Sequence, residues 1–236
     1  MRLNKLNASF KIHLILVWML LGVSTLRAQE NRNQTKTDTM HIAFIMFDDY
    51  ETLDVFGPAE VFGRLTDLYS LGFYSLEGGI VSNRHGVPIK TEKLATLKNG
   101  PEIILVPGGW GTRKEVDNPE ILRELKRLSE SSTYTLTVCT GSGLLAKTGL
   151  LDNREATSNK RAFKWASSQG ADVKWDKKAR WKVDGKYYTS SGVSAGMDMA
   201  FGFLADRHGL DFARKIAKEI ECHWIEDKDN DTFTAD

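Results

Sequence analysis

From His41 onward the chain alternates continuous apolar runs with amphipathic ones, and the two periods separate predicted strands from predicted helices. Ile42 to Phe47 is predicted as a buried strand, and an amphipathic stretch from Val55 to Leu68 follows it after a turn. Phe73 to Val81 and Val87 to Thr91 have the aromatic and β-branched content of strands set between turn residues. Ile103 to Val106 is a short apolar strand that ends at Pro107-Gly108-Gly109. Asn118-Pro119-Glu120 is a helix start, with a capping side chain, a proline whose missing N–H costs nothing there, and an acid in the first turn. The helix then runs through Ile121, Leu122, Leu125 and Leu128. Thr135 to Val138 is the next strand, and Val183-Asp184-Gly185-Lys186 carries an Asp-Gly hairpin turn. Further helices are predicted from about Met197 and from about Leu210. Such alternation predicts an α/β domain with a parallel sheet covered by helices on both faces, and ligands on these sheets bind at the carboxyl ends of the strands.

Three segments are therefore expected at one edge of the sheet. The most informative is Thr137-Val138-Cys139-Thr140-Gly141-Ser142-Gly143, which places Cys139 between a strand and a helical run. That is the layout of a nucleophile elbow, in which small residues let the backbone turn sharply under one projecting side chain. A thiol at a helix N-terminus is expected to ionise more readily than a free one. A buried structural cysteine is the competing reading. The loop after the first strand brings Asp54, read either as a helix cap or as a carboxyl that moves protons beside the thiol. In the second role it must be neutral, or held by other donors, when Cys139 is ionised, because two adjacent anions repel. Glu60 either helps to hold it or is a solvated helix residue. Pro107-Gly108-Gly109-Trp110-Gly111 offers unobstructed backbone N–H groups, so Gly108 and Gly109, with the Thr140 N–H, are candidates for an oxyanion pocket. Trp110 is read as a pocket wall or as core, and Arg113 as a surface residue in competition with an anion-binding role. The G-x-G-x-x-G spacing of dinucleotide sites is missing.

Composition narrows the partners. Lys plus Arg number 32 against 31 Asp plus Glu, and no basic stripe or zinc-finger spacing occurs, so nucleic acid is not an expected partner. No metal or cofactor is called for. Arg2, Lys5 and Lys11 precede the apolar run Ile12 to Val23, which predicts a signal peptide over 1–28 and export to the periplasm or beyond. Leu26-Arg27-Ala28 is an imperfect cleavage site, and an uncleaved leader is the only membrane contact expected. Residues 29–40 are polar and aperiodic, as in a disordered linker, leaving 41–236 as one domain. The two cysteines, Cys139 and Cys222, are not expected to pair, since Cys222 falls on a C-terminal helical pattern.

Four blocks resemble, in order, those of the ThiJ/PfpI superfamily: Leu53-Asp54-Val55-Phe56-Gly57-Pro58-Ala59-Glu60-Val61-Phe62, Val106-Pro107-Gly108-Gly109-Trp110-Gly111, Val138-Cys139-Thr140-Gly141-Ser142, and Ser191-Gly192-Val193-Ser194-Ala195-Gly196-Met197-Asp198. The resemblance implies a class I glutamine amidotransferase-like fold: a flavodoxin-like parallel sheet sandwiched by helices with a nucleophile elbow. It runs from His41 to Phe233 and looks most like the isonitrile hydratase branch and the amidase-like domains of AraC-type regulators, both with Cys-Thr-Gly at the elbow. It implies catalytic roles for Cys139, Asp54 and Thr140, substrate contacts from Gly108, Gly109, Trp110, Asn159 and Ser191, a small-molecule substrate and a homodimer. Thr140 stands where the protease branch has His. Neither His208 nor His223 fits a triad base, which demotes protease and glutaminase chemistry. Asn159 stands where isonitrile hydratases usually have His, and the leader is a second departure. The expected function is hydration of an isonitrile to an N-substituted formamide through a Cys139 adduct. Glyoxalase-like or amidase-like attack on a reactive carbonyl is the alternative, and a non-catalytic ligand or redox sensor is the alternative from another class. A one-component regulator is disfavoured by the twelve residues after Trp224.

Overall fold

A computed structural model describes residues 39–234. The signal peptide read over 1–28 and all but the last two residues of the linker read over 29–40 lie outside the described residues. The domain starts one residue earlier than expected, because Met40 opens strand β1 (Met40–Met46). Helix α1 (Thr52–Gly63) follows, then β2 (Tyr69–Ser75), β3 (Gly79–Ser82), β4 (Pro88–Lys93) and β5 (Ile103–Val106). The short α2 (Thr112–Glu115) and the longer α3 (Pro119–Ser131) lead into β6 (Tyr134–Val138) and α4 (Gly141–Lys147). Beyond them lie β7 (Glu155–Ala156), α5 (Phe163–Ser167), β8 (Lys174–Trp175), β9 (Trp181–Asp184) and β10 (Tyr187–Ser190). Helices α6 (Ala195–His208) and α7 (Leu210–Glu219) complete the order.

Eight strands form one sheet in the order β3-β4-β2-β1-β5-β6-β10-β9, mostly parallel, with antiparallel pairs only at its two edges, β3/β4 and β9/β10. Flanking helices cover it: α1 packs on α6 and α6 on α7, while α3 and α5 both pack on α4. The strand expected over Phe73 to Val81 is divided. Gly78 and Gly79 take φ of 70° and 87°, which glycine adopts without a Cβ clash, so the chain turns there and β3 runs back along β4. Asn118 caps α3 as expected, its side chain accepting from the Glu120 and Ile121 N–H groups. Gly185 closes the β9–β10 hairpin with a φ of 61°.

Register positions the chemistry. The chain leaves β1 for β2 on one side and later returns to β5 on the other, so the carboxyl ends of β1 and β5 flank a topological switch point. Val106 lies opposite Thr137, and Val138 opposite Ser190. The loops after β5, β6 and β10 therefore emerge side by side, beside the loop that enters α1.

One polar cluster lies inside the domain. Arg180 is 1% exposed, and its Nε and Nη2 donate to Asp198 Oδ2 at 2.7 and 2.5 Å while Nη1 reaches Asp231 Oδ1 at 3.3 Å. Asp198 also accepts the Ile225 N–H, so the ion pairs fasten the C-terminal segment onto α6.

Candidate active site

The elbow forms as the small residues predict. Cys139 has a φ of 59°, the left-handed region that a non-glycine residue enters only at a strain of about 1–3 kcal/mol. Its N–H is shared between the Ser190 and Ser191 carbonyls at 3.2 Å each, and its carbonyl accepts the Ser142 and Ser158 hydroxyls at 3.0 and 2.8 Å. A Cβ on Gly141 would run into the Val106 and Pro107 carbonyls, so only glycine lets α4 start this close to β5. Both cysteines are free thiols, and Cys139 is buried.

Asp54 is not the cap of α1. That position is Glu51, so the helix starts three residues before the expected Val55 and turns Asp54 inward, fully buried. Its Oδ2 accepts the Gly108 N–H at 2.8 Å, and its Oδ1 is buried without a partner among the described residues. Glu60 does not hold it: that side chain is exposed and paired with Arg64. Thr140 Oγ1 accepts the Gly109 N–H at 3.1 Å and the Thr112 hydroxyl at 3.1 Å, and its own hydroxyl donates to the Gly109 carbonyl at 3.3 Å. The Gly108 and Gly109 N–H groups are thus engaged inside the protein. They orient Asp54 and Thr140 rather than stand free as an oxyanion pair, which corrects the expectation for that loop.

Burial pushes the Asp54 carboxyl well above the usual carboxylate range. The Gly108 bond opposes this and the charge of Glu51 adds to it. Burial likewise pushes the Cys139 thiol well above its ordinary value; the Asp54 charge adds, and the two Thr140 donors oppose. Burial thus works against the ease of ionisation expected at a helix start. The two acids titrate as a pair. Ionisation of either one opposes ionisation of the other.

A cleft of about 850 Å3 opens over the sulfur. Trp110 is an exposed wall of it, 59% accessible, and not core. Asn159 lines it, with its amide oxygen tied to the Ala162 N–H. Ser191 does not line it. That residue acts through its main chain, donating to the Arg180 carbonyl while holding the Cys139 N–H. Arg113, read as a surface residue, is half-buried in the cleft instead; its Nη1 donates to the Gly109 carbonyl and to Thr112 Oγ1. Glu51, Arg84, Arg161, Lys164 and Trp165 also line the cleft and carried no signal in the sequence beyond their type. Among the described residues no group of three or more His, Cys, Asp or Glu is placed to hold a metal ion.

Gly192 packs against Cys139 and Asn159, next to Val193 of the cleft lining. A Cβ there would meet Cys139 Sγ at 2.8 Å and overlap the Asn159 amide. Gly192→Ala is expected to slow iodoacetamide alkylation of Cys139 about tenfold or more, since overpacking of about 1–3 kcal/mol falls directly on the sulfur. Peptide mass spectrometry of timed samples reads this, and an unchanged rate would show that the loop gives way.

Fold and site together define an α/β protein with a cysteine at a strand-to-helix elbow and a buried acid beside it. The DJ-1/PfpI family model matches residues 40–206, and the chain belongs to that family. It is 26% identical over 184 residues to the isonitrile hydratase of Pseudomonas putida, covering 77% of this chain and 78% of that one. It is 27% identical over 165 residues to the HTH-type transcriptional regulator CdhR of Pseudomonas aeruginosa, covering 69% of this chain and 48% of the regulator. The chain thus spans about half of that regulator's length. A ThiJ/PfpI family protein from Pseudomonas syringae shares the fold, with a TM-score of 0.68 at 24% identity over 78% of this chain and 75% of that one.

Proposed function

We propose that this chain is a cysteine-dependent enzyme acting on small molecules, with the hydration of an isonitrile to an N-substituted formamide as the reaction its site supports best. The observation that carries the reading is the placing of Cys139 beside the fully buried Asp54 carboxyl and Thr140 under an open cleft. The Cys139 sulfur bonds to the terminal isonitrile carbon while the Asp54 proton passes to that carbon, giving a thioimidate and an Asp54 carboxylate. Water then adds its oxygen to the carbon and one proton to the nitrogen. The remaining hydroxyl proton returns to Asp54, the C–S bond breaks, and the formamide leaves with the thiolate restored. The likeness to the Pseudomonas putida isonitrile hydratase supports the same reaction. On this reading the enzyme works outside the cytoplasm, following the leader read over residues 1–28.

Wild-type protein incubated with an aryl isonitrile is expected to release the formamide, measured by chromatography with mass detection, and Cys139→Ala to release none. Equal turnover by the two proteins would sink the mechanism. The likeness to regulators favours one second reading, a ligand or redox sensor. Its signature is peroxide-driven mass gain at Cys139 with no turnover of isonitrile or methylglyoxal.

A further inference from the structure

The cleft over Cys139 carries four cations, Arg84, Arg113, Arg161 and Lys164, against the single carboxylate of Glu51. Among the described residues none of these four has a carboxylate within ion-pair distance. Four cations and one carboxylate thus face the space that a small molecule would enter.

Arg113 is the most constrained of the four. Its guanidinium lies 4.1 Å from the Trp165 ring centroid and 5.1 Å from that of Trp110, and its bonded partners are two uncharged oxygens, both contacted by Nη1. Two aromatic faces fix the plane of a fork whose remaining N–H groups are left for another acceptor. The group also interacts electrostatically with Cys139. A cation in that place answers a specific difficulty, since an anionic substrate approaching a thiolate is repelled unless a fixed positive charge lies beside both.

We propose that the substrate carries a carboxylate, held by the Arg113 guanidinium, with its reactive carbon over Cys139 and with Arg161 and Lys164 steering its approach. This rests on the reading of Cys139 as the reacting centre of the cleft. Arg113 is accordingly a specificity-determining residue, and uncharged isonitriles are poor surrogates for the natural compound.

Isocyanoacetate and its methyl ester test this, because they share one reactive carbon and differ in charge. Binding of each to the Cys139→Ser variant is measured by calorimetry, and turnover of each by the wild type. The acid is expected to bind about tenfold tighter than the ester, equivalent to about 1.4 kcal/mol. The advantage should shrink in high salt and disappear in Arg113→Gln, read as the ratio of the acid's affinity to the ester's in the same variant. Lys164→Gln, on an exposed side chain, should lose a smaller part of it. Equal affinities, tighter binding of the ester, or no binding of either compound would overturn the proposal. Selective binding of the acid without turnover of either compound by the wild type would uphold the carboxylate preference while removing the proposed chemistry.

Discussion

Asp54→Asn is expected to leave the protein folded, more stable at neutral pH than the wild type, and lower in isonitrile turnover by about two to four orders of magnitude, the range a positioned proton donor contributes. The amide keeps the shape of the carboxyl and can still accept from the Gly108 N–H, so the loop after β5 stays in place. What it lacks is a proton to give to the isonitrile carbon. The gain in stability follows from the raised carboxyl pKa. In the unfolded chain Asp54 ionises above its ordinary value, whereas in the folded chain it holds its proton to a much higher pH. Its contribution to stability is therefore complete below the unfolded pKa and is lost as pH rises toward the folded one. The asparagine has no such loss. Thermal melts at pH 4 and pH 7 should show the variant gaining on the wild type as pH rises, while steady-state kinetics show the collapse in kcat. A variant that is active, or one that loses stability at pH 7, would remove Asp54 from the role assigned to it.

Arg180→Met is expected to destabilise the domain by about 3–5 kcal/mol, because it leaves Asp198 buried with no cation and Asp231 with only Lys160, 4.0 Å away. Burial already raises the Asp198 carboxyl above its usual range despite the guanidinium. With the guanidinium removed, both carboxylates must take up protons or draw water inward. Replacing these three charges, in Arg180→Met with Asp198→Leu and Asp231→Leu, should recover part of the loss and not all of it, since the Ile225 N–H then lacks its acceptor and Lys160 its carboxylate. Urea denaturation followed by fluorescence measures both, and a loss under about 1 kcal/mol for the single variant would mean that the cluster is hydrated.

Sequence carried the frame of this site further than its electrostatics. Cys139, its strand and the glycines after it were legible because an elbow needs local chemistry: an apolar run, a reactive side chain and residues without bulk. The Asn118 cap and the Asp184-Gly185 turn were legible for the same reason. What escaped depends on contacts between distant segments. The Gly108 and Gly109 N–H groups look free in a glycine-rich loop, yet their acceptors arrive from residues 54 and 140. Arg113 looks like a surface residue because its two aromatic neighbours are contributed by Trp110, close in sequence, and Trp165, some fifty positions away. The thiol's raised pKa was invisible too, since a helix start is a local feature whereas burial is a property of the whole fold. Arg180 gives no sequence signal of its burial, because its partners lie 18 and 51 residues downstream.

The two sides of the cleft are built differently, and this separates chemistry from selectivity. On one side, residues 49–54, 108–111 and 139–140 are stitched together: Glu51 N–H to the Gly108 carbonyl, Gly111 N–H to the Asp49 carbonyl, Gly109 N–H to Thr140 Oγ1. A change at any of them disturbs the rest. The opposite side, with Arg161, Lys164, Trp165 and Ser168, is built from one five-residue helix and the residues flanking it, and among the described residues its two cations have no carboxylate partners. Mutational drift or directed evolution can therefore rewrite that helix and trade one substrate for another while the reacting group is left intact, so diversification of such a scaffold has a cheap route through residues 159–168 and a costly one through the elbow.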